Sequence, residues 1–397
     1  MIDKQMIEAL KTEAGAAIDA HAGDLRQISL DLRDHPEVGW TEAYAASRLS
    51  DYLESHGFAM ERGVGGLETA FRATLDSGKP GPTIAILAEY DALPDVGHGC
   101  GHNLIAAGAL GAGLGLQSVL DQLGGKVIVF GTPAEELTDQ SQGKIQLLKA
   151  GEFAGIDVSL MFHPWTVSAP INSSLAFVSM MDIVFHGQTA HAAADPWNGR
   201  NALDGVIMTF NHISALRQHV QPDVRMHGII SDGGVVPNII PERAAARIML
   251  RARKRDRVRE VLEKVKAGVE GAAVATGTTV DISVNTEAAD TVAYPTLQAL
   301  TRANYEALGE PFEAPIDWTA STDFGDVSYA MPAESFFITL GAGDLTWHST
   351  EVVDAVGKEP ALRSMLVGAR VLAMDAIDLL ADPALLEQAR GEMPDAG

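Results

Sequence analysis

Cysteine is almost absent: Cys100 is the only one in 397 residues, so no intrachain disulfide can form and the fold must rest on its core. Basic residues are scarce as well. Lys and Arg number 29 against 53 Asp and Glu, for a formal net charge of -24, which argues against a cationic surface for phosphate and hence against nucleic acid as a partner. The one dense basic run, Arg251-Ala252-Arg253-Lys254-Arg255, reads as the solvated start of a helix. Long uninterrupted apolar runs are also missing, which excludes a helical membrane span. No repeat or low-complexity tract departs from ordinary globular composition. The opening segment, residues 1–31, alternates charged and apolar residues where a signal peptide would carry an apolar core, so a cytoplasmic location is expected.

What is present is an ordered alternation of patterns. Amphipathic stretches over residues 1–31 and 41–57 lead to a strand at 83–87, an Ala/Gly/Leu-rich helix at 104–120, a strand at 126–130, a helix near 144–150 and a strand at 157–162. Strand and helix in turn predict an α/β fold with a mostly parallel sheet covered on both faces. From about residue 174 the order becomes strand 175–185, helix 200–219, strands 225–230 and 244–253, helix 258–275 and strand 279–284. That is the βαββαβ order of a ferredoxin-like unit, inserted into the first. The expected division is therefore a catalytic part over 1–173, an insert over 174–289, and a return to the first unit over 290–397. Helices at 295–308 and 361–380 and a strand at 335–340 would complete it, with only the tail after Asp382 loosely held.

The chemistry concentrates beyond predicted strand ends, where open α/β sheets form their sites. Cys100 and His102 stand one residue apart in the glycine-rich turn Gly97-His98-Gly99-Cys100-Gly101-His102-Asn103, and thiolate and imidazole are both metal ligands. Glu135-Glu136 and His163-Pro164 follow the next two strands, and His348 lies in Thr346-Trp347-His348-Ser349. Adjacent carboxylates point in different directions, so one suits a metal and its neighbour a proton transfer. Each group alone has a plainer explanation: a lone cysteine is usually an inert small hydrophobe, and an acid pair usually an exposed turn. Their shared placement favours a dinuclear hydrolytic site. A cysteine hydrolase with Cys100 as nucleophile needs no metal, but leaves Glu135, Glu136 and His348 without a task.

An ordered set of motifs extends through nearly the whole chain. It comprises His35-Pro36-Glu37-Val38-Gly39, Ala88-Glu89-Tyr90-Asp91-Ala92-Leu93-Pro94, the turn around Cys100, Gly131-Thr132-Pro133-Ala134-Glu135-Glu136 and Met161-Phe162-His163-Pro164. Thr189-Ala190-His191-Ala192-Ala193, Gly199-Arg200-Asn201-Ala202-Leu203-Asp204, Val236-Pro237-Asn238-Ile239-Ile240-Pro241, Ser321-Thr322-Asp323-Phe324-Gly325 and Trp347-His348-Ser349 continue it. In these the chain resembles the dinuclear metallopeptidase and amidohydrolase family of aminoacylase, carboxypeptidase G and succinyl-diaminopimelate desuccinylase. Within that family it is most similar to the subgroup of auxin-conjugate hydrolases, p-aminobenzoyl-glutamate hydrolase and β-alanyl-dipeptidase-like relatives.

The resemblance implies that Cys100, His102, Glu136, His163 and His348 hold two divalent ions, zinc or manganese, and that Glu135 is general base and acid. It implies that His191 stabilises the oxyanion across a homodimer interface formed by the insert. Asn238 and Arg200 would meet the substrate, a small amide or dipeptide. Many relatives carry a His-x-Asp motif where this chain has Glu89-Tyr90-Asp91; here Asp91 is expected to orient a ligand, while Glu89, His98 and Asp323 receive no assigned role. A non-catalytic metal-binding partner subunit is the alternative from a different class, and intact Glu135 and His191 speak against it.

Overall fold

The computed structural model describes residues 3–137 and 140–394. In chain order its strands are β1 (Ala59–Arg62), β2 (Phe71–Asp76), β3 (Thr83–Glu89), β4 (Lys126–Thr132), β5 (Val158–Trp165), β6 (Ala169–Ser173), β7 (Ala176–His186), β8 (Arg225–Asp232), β9 (Arg243–Ala252), β10 (Thr279–Val284), β11 (Glu287–Ala288), β12 (Ile316–Asp317) and β13 (Ala333–Thr339). They form two sheets. The larger runs β1-β2-β4-β3-β5-β13-β6-β12, and its centre, β4-β3-β5-β13, is parallel. Antiparallel pairs flank that centre, β1 with β2, β2 with β4, and β13 with β6.

The sequence of β3 explains its central place. Ile84-Ala85-Ile86-Leu87-Ala88 is apolar without alternation and buried throughout, as expected of a strand covered on both faces. The helix His102–Gln117 packs on β3, β4 and β5 and is buried from His102 to Leu116. Its close seat depends on glycine: a Cβ at Gly108 would stand 2.3 Å from Phe162 of β5, and one at Gly113 would stand 2.6 Å from Val129 of β4. Helices Lys4–Ala20, Ala22–Asp34 and Glu359–Ala381 pack against it in turn.

The second sheet, β10-β7-β9-β8 with β11 on β7, is antiparallel. Helices Ala202–Leu216 and Arg255–Thr276 pack on it around a separate core of Ile183, Phe185, Val206, Ile248, Val261, Leu262 and Val265. This is the predicted βαββαβ order of the lid-like insert. β8 is an edge strand that exposes Ile229 and Ile230, with Ile207 and Met208 exposed on the helix Ala202–Leu216. Where the chain passes between the sheets its two strands of backbone meet: Ser174 Oγ and Thr291 Oγ1 lie 2.8 Å apart, and Thr291 N–H donates to Ser174 Oγ at 3.0 Å.

Several expectations need correction. His163 and Pro164 lie inside β5, which continues to Trp165, because its pairing with β13 extends through Phe337 and Ile338. The tail after Asp382 is not loose: Pro383–Arg390 is a helix capped by the Asp382 side chain, with Leu386 and Ala389 buried. The basic run is split, Arg251 and Ala252 closing β9 and Arg255 opening a helix. The short strands β1, β2, β6 and β12 gave no legible pattern.

Candidate metal centre

The site forms beyond the carboxyl ends of β3 and β4. After Glu89 the chain turns through Asp91 to Gly101, whose positive φ of 79° caps the helix His102–Gln117. Only glycine allows this approach, since a Cβ at Gly101 would meet Pro164 at 2.9 Å and one at Gly99 would meet the His348 backbone at 3.3 Å. The turn thus brings Cys100 and His102 against β5 and against the segment that carries His348. All of Cys100, His102, Glu135 and His163 are buried.

The histidines are oriented by their outer nitrogens. His102 Nδ1 lies 3.0 Å from Asp91 Oδ1, and His163 Nδ1 lies 2.8 Å from the Pro164 carbonyl. Each acceptor fixes the proton on Nδ1 and leaves Nε2 turned inward, the arrangement typical of metal-binding imidazoles. His163 Nε2 is 3.6 Å from Cys100 Sγ, His102 Nε2 is 4.0 Å from both Glu135 and Glu136, and His348 Nε2 is 3.6 Å from Glu136 Oε1. Donor atoms of Cys100, His102 and His163 lie within 4.8 Å of one another, as do those of Cys100, Glu136 and His348, and those of His102, Glu135 and Glu136. Two triples therefore share Cys100.

The donor set fits divalent cations. His102 Nε2 and Glu136 Oε1 are buried without a hydrogen-bond partner, a costly state that a cation would relieve. The protein's own charges are strained in the same sense. Burial, then Glu136 and Glu89, push the Glu135 carboxyl well above its ordinary range. Burial and Glu136 push the Cys100 thiol up, while burial and His102 draw His163 down to about 4. Burial disfavours the His102 cation, but the bonds to Asp91 and Cys100 outweigh it and raise that imidazole.

The loop bearing Glu135 and Glu136 is held from several elements. Glu42 accepts from Ala134 N–H at 2.8 Å, Asp91 Oδ2 accepts from Glu136 N–H at 2.9 Å, and the Gln142 amide donates to the Glu135 carbonyl. Ala134 itself takes a left-handed φ of 58°. Burial raises Glu42 to about 7, with Asp91 adding to the shift.

The sequence missed Lys144. Its side chain is fully buried and its ammonium binds Glu89 Oε1 and Asp323 Oδ1, while its N–H donates to Asp323 Oδ2 at 2.9 Å. A single lysine in a short helical pattern carries no signal of this. It also missed a cationic cavity of about 770 Å³ lined by Arg225, His227, Arg251, Arg253, Leu175 and Thr319. Asp223 also lines it, and Thr319 of its wall follows Trp318 in the chain, whose ring is 5.1 Å from that of His163. His98 is buried but joins none of the ligand triples.

His191, Asn238 and Arg200 lie elsewhere, exposed on the insert. His191 Nδ1 accepts from Ala193 and Ala194 N–H at 3.2 Å, which places its proton on Nε2 as a free donor. Asn238 is beside it, its carbonyl accepting from Ala192 N–H at 3.0 Å. Arg200 donates to Gln188. Among the described residues, no hydrogen bond or ion pair joins these three to the metal-ligand cluster within one chain.

Residues 178–276 match the M20 peptidase dimerisation domain. The chain is 38% identical to the Xaa-Arg dipeptidase of Mus musculus over 97% of its own length and 92% of that protein's. It is 29% identical to one of the subunits of p-aminobenzoyl-glutamate hydrolase from Escherichia coli (strain K12), over 95% of this chain and 93% of that one. Its fold is similar to that of a dinuclear metal binding peptidase of the M20 family from Bacillus subtilis, with a TM-score of 0.67 at 20% identity over 91% of this chain and 99% of that one.

Proposed function

Because the chain belongs to the M20 family of dinuclear metallopeptidases and amidohydrolases, we propose that it cleaves the amide bond of a dipeptide or N-acyl amino acid, with Glu135 as general base. The observation that carries this reading is the pair of ligand triples sharing Cys100, with Glu135 at their edge. Cys100, His102, Glu136, His163 and His348 would hold two divalent ions, zinc or manganese. Such ions, when bound, lower the pKa of water and polarise a carbonyl.

The chain's own groups then divide the work. The Glu135 carboxylate takes the proton of the attacking water and gives it to the departing amine. His191 Nε2 donates to the carbonyl oxygen as it gains charge. Since His191 and Asn238 are exposed on the insert, both would reach a site through a homodimer. The open edge of β8 with exposed Ile229 and Ile230 supports such a pairing. Arg251, whose Nε is buried without a partner, lines the cavity and suits the carboxylate of the amino-acid product, which a guanidinium grips in two bonds, better than Arg200, which is already engaged by Gln188. A thiol nucleophile is disfavoured, since burial keeps Cys100 protonated in the absence of metal.

The test is hydrolysis of β-alanyl dipeptides, Xaa-Arg dipeptides, p-aminobenzoyl-glutamate and N-acyl amino acids by the wild type and by Glu135→Gln, with bound metal counted in both. Glu135→Gln is expected to keep its metal and lose at least ~10²-fold in kcat. Amidation of the substrate carboxyl should cost at least ~10-fold in kcat/KM. Full turnover by metal-free protein, or by Glu135→Gln, would sink the reading.

A further inference from the structure

A buried ammonium beside the ligand cluster has no part in the chemistry above. Lys144 is the second residue of the helix Gly143–Lys149, a few residues after Glu135 and Glu136 in the chain. Its position is not accidental to the backbone: a Cβ at the preceding Gly143 would fall 1.9 Å from the Pro133 carbonyl oxygen, so the loop closes on itself before Lys144 enters the core. The ammonium joins two carboxylates from distant parts of the chain, Glu89 at the end of β3 and Asp323 before the helix Phe324–Ala330. A buried lysine survives only when paired.

The geometry of Glu89 is lopsided. Oε1 is taken by Lys144, while Oε2 is buried, has no hydrogen-bond partner and lies 3.6 Å from His102 Nε2. It is therefore a carboxylate aimed toward the inward nitrogen of a candidate ligand and restrained by one oxygen. A free carboxylate in that place would be drawn onto any cation held by His102, because the attraction of unlike charges is strong where water is excluded.

Resting on the proposed hydrolase reading, we infer that Lys144 is a positioning residue: with Asp323 it holds Glu89 back from the metal ions and fixes the loop that carries Glu135. Releasing Glu89 converts it into an added ligand, which tightens metal binding and crowds the place where the attacking water belongs. A lysine with a merely structural role predicts the reverse, looser metal binding in a less stable protein.

The variant Lys144→Met/Asp323→Asn frees Glu89 without changing the net charge of the triad. Metal affinity is measured by chelator competition, and kcat and KM on whichever amide the wild type cleaves. The expected result is metal bound about tenfold tighter, kcat at least tenfold lower and KM within about threefold of wild type. Adding Glu89→Gln should return metal affinity to near the wild-type value. Metal affinity unchanged or weaker in the double variant would overturn the inference, and so would tight binding that persists after Glu89→Gln. Should the double variant not fold, Lys144→Gln/Asp323→Asn carries the same two readouts. Wild-type protein inert on every amide would defeat the hydrolase reading alone, because the affinity arm still reports whether Glu89 is restrained.

Discussion

Replacing Gly108 by alanine tests whether the site depends on the close approach of one helix to the sheet. A Cβ at this position would stand 2.3 and 2.5 Å from Cζ and Cε1 of Phe162, well inside the ~3.5 Å of an ordinary carbon contact. The ring is fully buried, and a Cβ at Gly108 would also stand 3.5 Å from Met365 Cγ. Alanine favours a helix interior over glycine by about 1 kcal/mol, whereas overpacking a rigid core costs about 1–3 kcal/mol. With Phe162 fully buried the upper end applies, leaving a net loss of about 2 kcal/mol, or about 2 °C in Tm for a chain of this length. The control is Gly271, in the helix Arg255–Thr276, where an added Cβ meets nothing within 4 Å. Gly271→Ala should stabilise by about 0.5–1 kcal/mol. Thermal and urea unfolding of both variants decides the matter: Gly108→Ala as stable as wild type would refute the packing argument, and the same sign for both changes would reduce it to helix propensity.

Two further outcomes are expected. His191→Ala should lower kcat by about 10²–10³-fold with metal content unchanged, and mixing it with Glu135→Gln should restore turnover that neither variant has alone; no recovery on mixing would place His191 in its own chain's site. Asp375, buried with Thr301 and Asn304, is raised to about 7, chiefly by burial. A carboxyl raised in the folded state adds stability that is complete below its ordinary value near ~4 and is lost as pH rises through about 7. Unfolding free energy should therefore fall by about 3 kcal/mol between pH 5 and pH 8 on this account, and Asp375→Asn should flatten that slope; parallel pH profiles for the two proteins would contradict it.

How much was legible follows from how each feature is encoded. The apolar run of β3, the Ala/Gly/Leu helix and the alternation of the insert are local patterns, so the two-sheet architecture could be read directly. Cys100, His102, Glu135, Glu136, His163 and His348 stood out as polar groups placed beyond expected strand ends, their roles came from the family resemblance, and the structure draws them together. Lys144 could not be found that way. Its partners are separated from it by 55 and 179 residues, and the side chain differs from a solvated lysine only through burial. The arginines that line the cationic cavity were passed over for the same reason: Arg225 and Arg251 fall in expected strands, but the cleft they share is formed only when β8 pairs with β9. The end of β5 was misplaced because Pro164 suggests a strand terminus, yet its partner β13 supplies the pairing that carries the strand past it.

The paired passage of chain at Ser174 and Thr291 has a bearing on how this molecule can be taken apart. Departure and return lie within a hydrogen bond of each other, so the five-stranded unit hangs from the rest like a pendant from one clasp, steadied by Arg253 on Asp317 and Arg255 on Tyr329. Cutting there leaves two adjacent ends that a very short bridge can rejoin, and the excised piece keeps its own apolar interior. The larger sheet loses none of its eight strands in the operation. Modularity of this kind lets one half be exchanged, tagged or studied alone while the order of the other is preserved.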